Sequence, residues 1–120
     1  MSGKVLVVDD SPTMRRIVAN TLKRIGYTDT EEAENGQQAL DLLGGNKYDL
    51  IVTDWNMPGM SGLEFIKTVR SDDNNDLPIL MLTTRSEAED VKEALKAGAN
   101  SYIVKPFTPQ VLKEKIDSII

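Results

Sequence analysis

The sequence predicts an α/β fold, a doubly wound five-stranded parallel sheet made of five strand–helix repeats. Three observations carry that expectation. Short apolar runs of about strand length recur along the 120-residue chain and lack polar alternation, as strands buried on both faces do. Stretches with helical spacing of apolar residues separate them. The two patterns alternate, which implies parallel strands joined by right-handed crossovers, with helices on both faces of the sheet.

Each element has its own signal. Residues 5–8 (VLVV) read as the first strand. Met14, Ile17, Val18, Leu22 and Ile25 then share one helical face, with Ser11 as N-cap, Pro12 in the first turn and Gly26 as the stop. Residues 28–33 are more polar and read as an edge strand. Ala39, Leu40 and Leu43 mark a short second helix, ended by Gly44-Gly45. The third strand, residues 50–53, is followed by a helix on Leu63, Ile66 and Val69 with Ser61 as its cap. Residues 72–76 (DDNND) read as a polar loop whose charges are solvated. The fourth strand covers residues 79–82, and its helix carries Ala88, Val91, Ala94 and Leu95 and closes at Gly98. The fifth strand covers residues 102–104. Thr108 and Pro109 open the last helix, which carries Val111, Leu112, Ile116 and Ile119. No repeat or linker interrupts this order, so one domain is expected over residues 1–120, with no room for an output domain.

Composition narrows the functions. Fourteen Lys+Arg against nineteen Asp+Glu give a net charge of −5, so no basic face is expected for nucleic acid or an anionic membrane. The absence of Cys excludes disulfides and thiolate chemistry, and the absence of His excludes imidazole catalysis. No apolar run approaches the roughly 20 residues of a membrane span. Met1-Ser2-Gly3-Lys4 leads directly into the first strand without a signal-peptide pattern. A soluble cytoplasmic protein is expected, with a monomer as the default.

In open parallel sheets, ligands bind beyond the carboxyl ends of the strands. The first strand delivers Asp9 and Asp10 there. The third delivers Asp54, followed by Trp55-Asn56-Met57-Pro58-Gly59. The fourth delivers Thr83 and Thr84, and the fifth Lys105, then Pro106-Phe107. Three carboxylates and one lysine sum to −2. Two carboxylates about 4 Å apart repel by roughly 4 kcal/mol at an effective dielectric of 20. Such a site should raise a carboxyl pKa or recruit a divalent cation. Hard oxygen donors without His or Cys favour Mg²⁺, or Mn²⁺ in its place, and one such ion brings the sum to zero. A carboxylate beside a metal and a lysine is a plausible nucleophile toward phosphorus, giving an aspartyl-phosphate, with Thr83 available to one phosphoryl oxygen. Taken singly, each residue has a plainer reading. Asp10 could cap a helix, Asp54 could end a strand in a turn, Thr83 could be a β-branched strand residue, and Lys105 could be a solvated charge. Trp55 could be only a partly buried hydrophobe. Convergence of all of them on one rim favours the chemistry.

These residues, in this order, resemble the receiver domain of two-component response regulators, and the resemblance covers essentially the whole chain. Asp54-Trp55-Asn56-Met57-Pro58, Tyr102 and Lys105-Pro106-Phe107-Thr108 are similar to the stand-alone chemotaxis members of that family. The resemblance implies a flavodoxin-like sheet of strand order 2-1-3-4-5. It implies Asp54 as phosphoacceptor, Asp10 as direct Mg²⁺ ligand, Asp9 acting largely through water, and Asn56 offering its backbone carbonyl to the metal. Thr83 and Lys105 would hold the phosphoryl oxygens, Lys105–Pro106 would be cis, and Thr83 and Tyr102 would form the switch. The implied partners are a sensor histidine kinase and the flagellar motor switch protein, with room for a phosphatase, read out through the fourth helix, fifth strand and fifth helix. The chain departs from the family in two places. Thr84 stands where a smaller residue such as Ala is usual, and should narrow access to the phosphoryl group. The fourth helix opens with the acidic run Ser86-Glu87-Ala88-Glu89-Asp90, where enteric members are more basic, so its target surface should differ.

Within the family, a single-domain receiver of another phosphorelay is the nearest alternative. An Mg²⁺-dependent phosphohydrolase usually carries a second carboxylate two positions after its nucleophile; Asn56 stands there. A flavin or nucleotide carrier needs a phosphate loop after the first strand, and Asp9-Asp10-Ser11-Pro12 would repel phosphate without a metal.

Overall fold

The computed structural model describes residues 3–71 and 76–120. Met1-Ser2 and all but the last residue of the polar loop anticipated at 72–76 lie outside the described residues. Ten elements alternate: β1 (Lys4–Val8), α1 (Pro12–Arg24), β2 (Asp29–Ala33), α2 (Gly36–Gly45), β3 (Leu50–Thr53), α3 (Gly62–Arg70), β4 (Ile79–Thr83), α4 (Ala88–Ala97), β5 (Ser101–Val104) and α5 (Pro109–Asp117). All strand pairs are parallel and run β2-β1-β3-β4-β5 across one sheet.

Side-chain alternation along the strands divides the core in two. Val5, Val7, Leu50, Val52, Leu80, Leu82 and Ile103 meet Val18 and Leu22 of α1 and Leu112 and Ile116 of α5. Leu6, Val8, Ile51, Ile79, Met81 and Tyr102 meet Ala39 of α2, Phe65, Ile66 and Val69 of α3, and Ala94 of α4. Full burial of each large aliphatic side chain contributes about 1.5–3 kcal/mol, which explains why the central strands carry almost no polar residue. β2 is the polar edge strand: only Ala33 is buried along its length.

Helix starts follow the expected caps. The Ser11 hydroxyl accepts from the Met14 N–H at 3.2 Å, and the Thr108 hydroxyl from the Val111 N–H at 3.1 Å. Ser61 and Glu64 form a reciprocal capping box at the start of α3. The second helix had no expected cap, and Asn35 serves there, its side chain accepting from the Gln38 N–H at 2.7 Å. The ends needed correction. α2 continues through Gly44 and Gly45 and stops at Asn46, because glycine in the last turn weakens a helix without forbidding it. Ile17, Leu95 and Val111 are exposed at the flanks of their apolar stripes, although helical spacing grouped them with the core. Gly26 does follow α1 as expected, at φ +108°, a conformation L side chains rarely adopt.

Candidate functional site

The sheet ladder continues one step past the strands and sets the site residues level with one another. The Asp9 N–H donates to the Ala33 carbonyl at 3.1 Å, the Asp54 N–H to Val8 at 2.9 Å, and the Lys105 N–H to Thr83 at 2.8 Å. The carboxylates of Asp9, Asp10 and Asp54 each place an oxygen within 4.8 Å of the others. Asp9 is buried, Asp54 half-buried and Asp10 exposed. The Lys105 ammonium lies 3.2 Å from Asp9 Oδ2 and 3.7 Å from Asp54 Oδ2. Thr83 is fully buried beside them. The Lys105–Pro106 bond is cis. The residues that strand-end reasoning assembled therefore do come together.

The electrostatics follow from that crowding. Burial pushes the Asp54 carboxyl above its ordinary range, and the Asp9 charge adds to this. Lys105, the Trp55 N–H and the Thr83 hydroxyl pull the other way and do not fully offset it. The Trp55 N–H bond, at 2.7 Å, goes to Asp54 Oδ1, whereas Oδ2 is the oxygen nearer Lys105. Three carboxylate donors, no softer ligand and a net charge of −2 suit a hard divalent cation. Asp10 contributes an exposed donor, and Asp9 and Asp54 contribute fixed ones.

Three residues escaped the sequence reading. Gly62 is needed by close approach: a Cβ there would sit 1.9 Å from the Asp54 carbonyl oxygen. Its N–H donates to the Trp55 carbonyl at 2.7 Å, which folds the β3–α3 loop back onto the site. Nothing local in the sequence marks that approach. Arg85, two residues beyond Thr83, stacks its guanidinium 4.5 Å from the Trp55 ring centroid. It donates to Asn56 Oδ1 at 3.2 and 3.3 Å and pairs with Asp90 of α4 at 3.5 Å. Strand-end counting carried one residue past Thr84 would have found it. Arg15 of α1 donates through Nη1 to the Asp9 carbonyl at 2.7 Å.

The remaining expected residues lie around this core. Asn56 and Thr84 are both exposed at the rim. Trp55 is buried, so the bland reading of a partly buried hydrophobe gives way to a ring clasped by Arg85. Tyr102 is buried, and its hydroxyl donates to the Arg85 carbonyl at 2.9 Å. Burial, with Asp90 and Asp54 adding and Arg85 opposing, pushes that phenol up to about 12. The acidic opening of α4 is partly absorbed within the molecule. Glu89 and Asp90 lie in the first turn, where the helix dipole favours them, and Asp90 holds Arg85. Among the described residues, no helix is long and apolar enough to cross a membrane.

Comparison with known proteins bears directly on this arrangement. The family model described as "Response regulator receiver domain" matches residues 5–117. A "Chemotaxis protein CheY homolog" of Campylobacter jejuni (strain 81-176) is 56% identical over 119 residues, covering 98% of this chain and 92% of that protein. The "Chemotaxis protein CheY" of Pseudomonas aeruginosa is 50% identical over 117 residues, covering 97% and 94%. The solved structure of Vibrio cholerae chemotaxis protein CheY4 superposes with a TM-score of 0.91 at 40% identity, over 100% of both chains. With the strand order, the acidic cluster and the lysine opposite it in agreement, the chain belongs to the family of response regulator receiver domains.

Proposed function

We propose that this protein is a phosphorylation-activated switch of bacterial chemotaxis, acting in the cytoplasm and without an independent substrate. The observation that carries the reading is the meeting of Asp9, Asp10, Asp54 and Lys105 on one rim. In the forward step, an Asp54 carboxylate oxygen attacks the phosphorus of a kinase phosphohistidine. The P–N bond breaks, its electron pair stays on the imidazole, and that nitrogen takes up a proton. In the second step, water attacks the same phosphorus, the bond between phosphorus and the Asp54 oxygen breaks with its electron pair returning to the carboxylate, and the attacking water gives up a proton to solvent, so that Asp54 is recovered with inorganic phosphate. When bound, Mg²⁺ would supply charge neutralisation for the transferred group. Asp10, Asp54 and the Asn56 carbonyl would hold it, with Asp9 acting largely through water. Lys105 and the Thr83 hydroxyl would take the remaining oxygens.

The switch reading follows from the packing around Thr83. The Tyr102 ring is already buried, with its hydroxyl on the Arg85 carbonyl. A phosphoryl group drawing on Thr83 would therefore act by stabilising one of two packings, a population shift rather than a new fold. The face of α4, β5 and α5 would carry the output to the flagellar motor switch, and Leu95, Val104 and Val111 stand exposed there. The names of the Campylobacter and Pseudomonas relatives favour chemotaxis over another phosphorelay. The test is binding to motor-switch and kinase fragments with and without a small acyl-phosphate donor and Mg²⁺. Phosphorylation should tighten the motor-switch fragment and release the kinase. Equal binding in both states would reject the switch.

A further inference from the structure

We infer that Arg15 is a positioning residue for the metal site, holding the peptide that aims Asp10, with Glu32 as its anchor. This inference rests on the Mg²⁺ reading above.

Asp9 and Asp10 are adjacent in sequence but are held differently. The Asp9 carboxylate is buried and engaged at both oxygens. Oδ1 accepts from the Ser11 N–H at 2.9 Å, and Oδ2 from the Lys105 ammonium at 3.2 Å. Asp10 is exposed, and among the described residues no hydrogen bond or ion pair holds its side chain. Its direction therefore depends on its backbone. The Asp9 carbonyl belongs to the planar peptide that joins the two residues, so fixing that carbonyl fixes how Asp10 leaves β1. Arg15 Nη1 donates to this carbonyl at 2.7 Å.

The arginine is itself braced. It sits in the first turn of α1, where side chains lean toward the helix N-terminus. Its Nε donates to Glu32 Oε1 of β2 at 3.1 Å, so one rigid guanidinium fork serves both partners. β2 is tied back to the same loop by the Asp9 N–H on the Ala33 carbonyl. A closed brace thus spans β1, α1 and β2. The Arg15 side chain is 14% exposed, and its bond to the Asp9 carbonyl is part-buried, whereas the Glu32 end of the brace, 46% exposed, faces water. Its neighbour Arg16 has the same charge, is exposed, and makes no side-chain hydrogen bond or ion pair among the described residues.

Charge and positioning predict opposite signs. A cation beside an acidic trio weakens its hold on a dication, so removing Arg15 would tighten Mg²⁺ by charge alone. Loss of positioning loosens it, and residues that support metal ligands are typically worth 10–100-fold in affinity. Mg²⁺ titration followed by Trp55 emission, with calorimetry in parallel, decides between them. Arg15→Ala should raise the Mg²⁺ Kd by about 10-fold, with far-UV circular dichroism and Tm in EDTA unchanged. Arg15→Gln, which restores a donor without a charge, should fall between Arg15→Ala and the native chain. Arg16→Ala, the same charge change without the brace, should stay within about twofold. Should Arg15→Ala not fold, Glu32→Asp withdraws the anchoring carboxylate by one methylene without changing the charge, and should weaken Mg²⁺ in the same direction. Unchanged or tightened binding in Arg15→Ala, or equal loosening in Arg15→Ala and Arg16→Ala, would overturn the inference. A native chain with no Mg²⁺ response by either method would sink the phosphoryl-transfer reading itself, and the positioning role with it.

Discussion

Two lysine–carboxylate clusters sit on this sheet, and they differ in kind. At the carboxyl ends of the strands, Lys105 faces Asp9 and Asp54, with side chains 10%, 6% and 13% exposed. Near the amino end of β1, Lys4 faces Glu31 at 3.5 Å, with side chains 32% and 37% exposed. Lys4 also stands over the Tyr48 ring at 5.3 Å, and the Tyr48 hydroxyl donates to Glu31. Residue types are alike in both places. In the first, burial leaves an excess of negative charge that water screens poorly and that a divalent cation can compensate. In the second, water screens the pair, and the cluster staples an edge strand to the β3 approach. The comparison teaches that dehydration, more than charge identity, separates a reactive cluster from a solvated one.

That contrast can be broken at either end. The largest effect is expected from Lys105→Ala in metal-free buffer, where two crowded carboxylates lose their counter-ion. Unfolding by denaturant should show a loss of about 3 kcal/mol. Next comes the metal. At a Mg²⁺ concentration about 100 times its Kd, the native chain should gain about 2.7 kcal/mol and the Asp10→Asn chain much less, read as a shift in Tm. The pH dependence has a definite sign. Because the native state raises the Asp54 pKa, the folded chain binds that proton more tightly than the unfolded chain does. Stability contributed by this group is present at low pH and falls as pH rises from the unfolded carboxyl range through the raised native value. Asp54→Asn in EDTA should therefore be more stable than the native chain at pH 7, with the difference vanishing below the unfolded pKa. A constant difference across that window would contradict the assigned burial. The smallest effect belongs to the solvated cluster: Lys4→Ala should cost about 1 kcal/mol or less and leave Mg²⁺ affinity unchanged.

The sequence made some of this legible and concealed the rest for physical reasons. Strand ends are readable because apolar runs stop where the sheet stops: Asp9, Asp54 and Lys105 each follow such a stop, and Thr83 is the last residue of β4. The polar edge strand was visible for the same reason: 28–33 lacks the apolar run of a doubly covered strand. Strand order was not readable from periodicity, since pairing depends on contacts between distant segments; it came from family resemblance, and the structure agrees. Gly62 stayed hidden because its role is a close approach between residues eight apart. Arg85 and Arg15 stayed hidden because an arginine's partners depend on where its long side chain lands. The exposure of Ile17 and Leu95 shows the limit of helical spacing, which marks a stripe but not its edges.

The central claim is that Asp54 becomes a nucleophile toward phosphorus when the acidic trio is charge-compensated. Intact mass spectrometry after incubation with a small acyl-phosphate donor, with and without Mg²⁺, tests it most directly. A single labile phosphoryl adduct is expected, which EDTA prevents and which Asp54→Asn lacks. An adduct that forms equally in EDTA, or persists in Asp54→Asn, would contradict it.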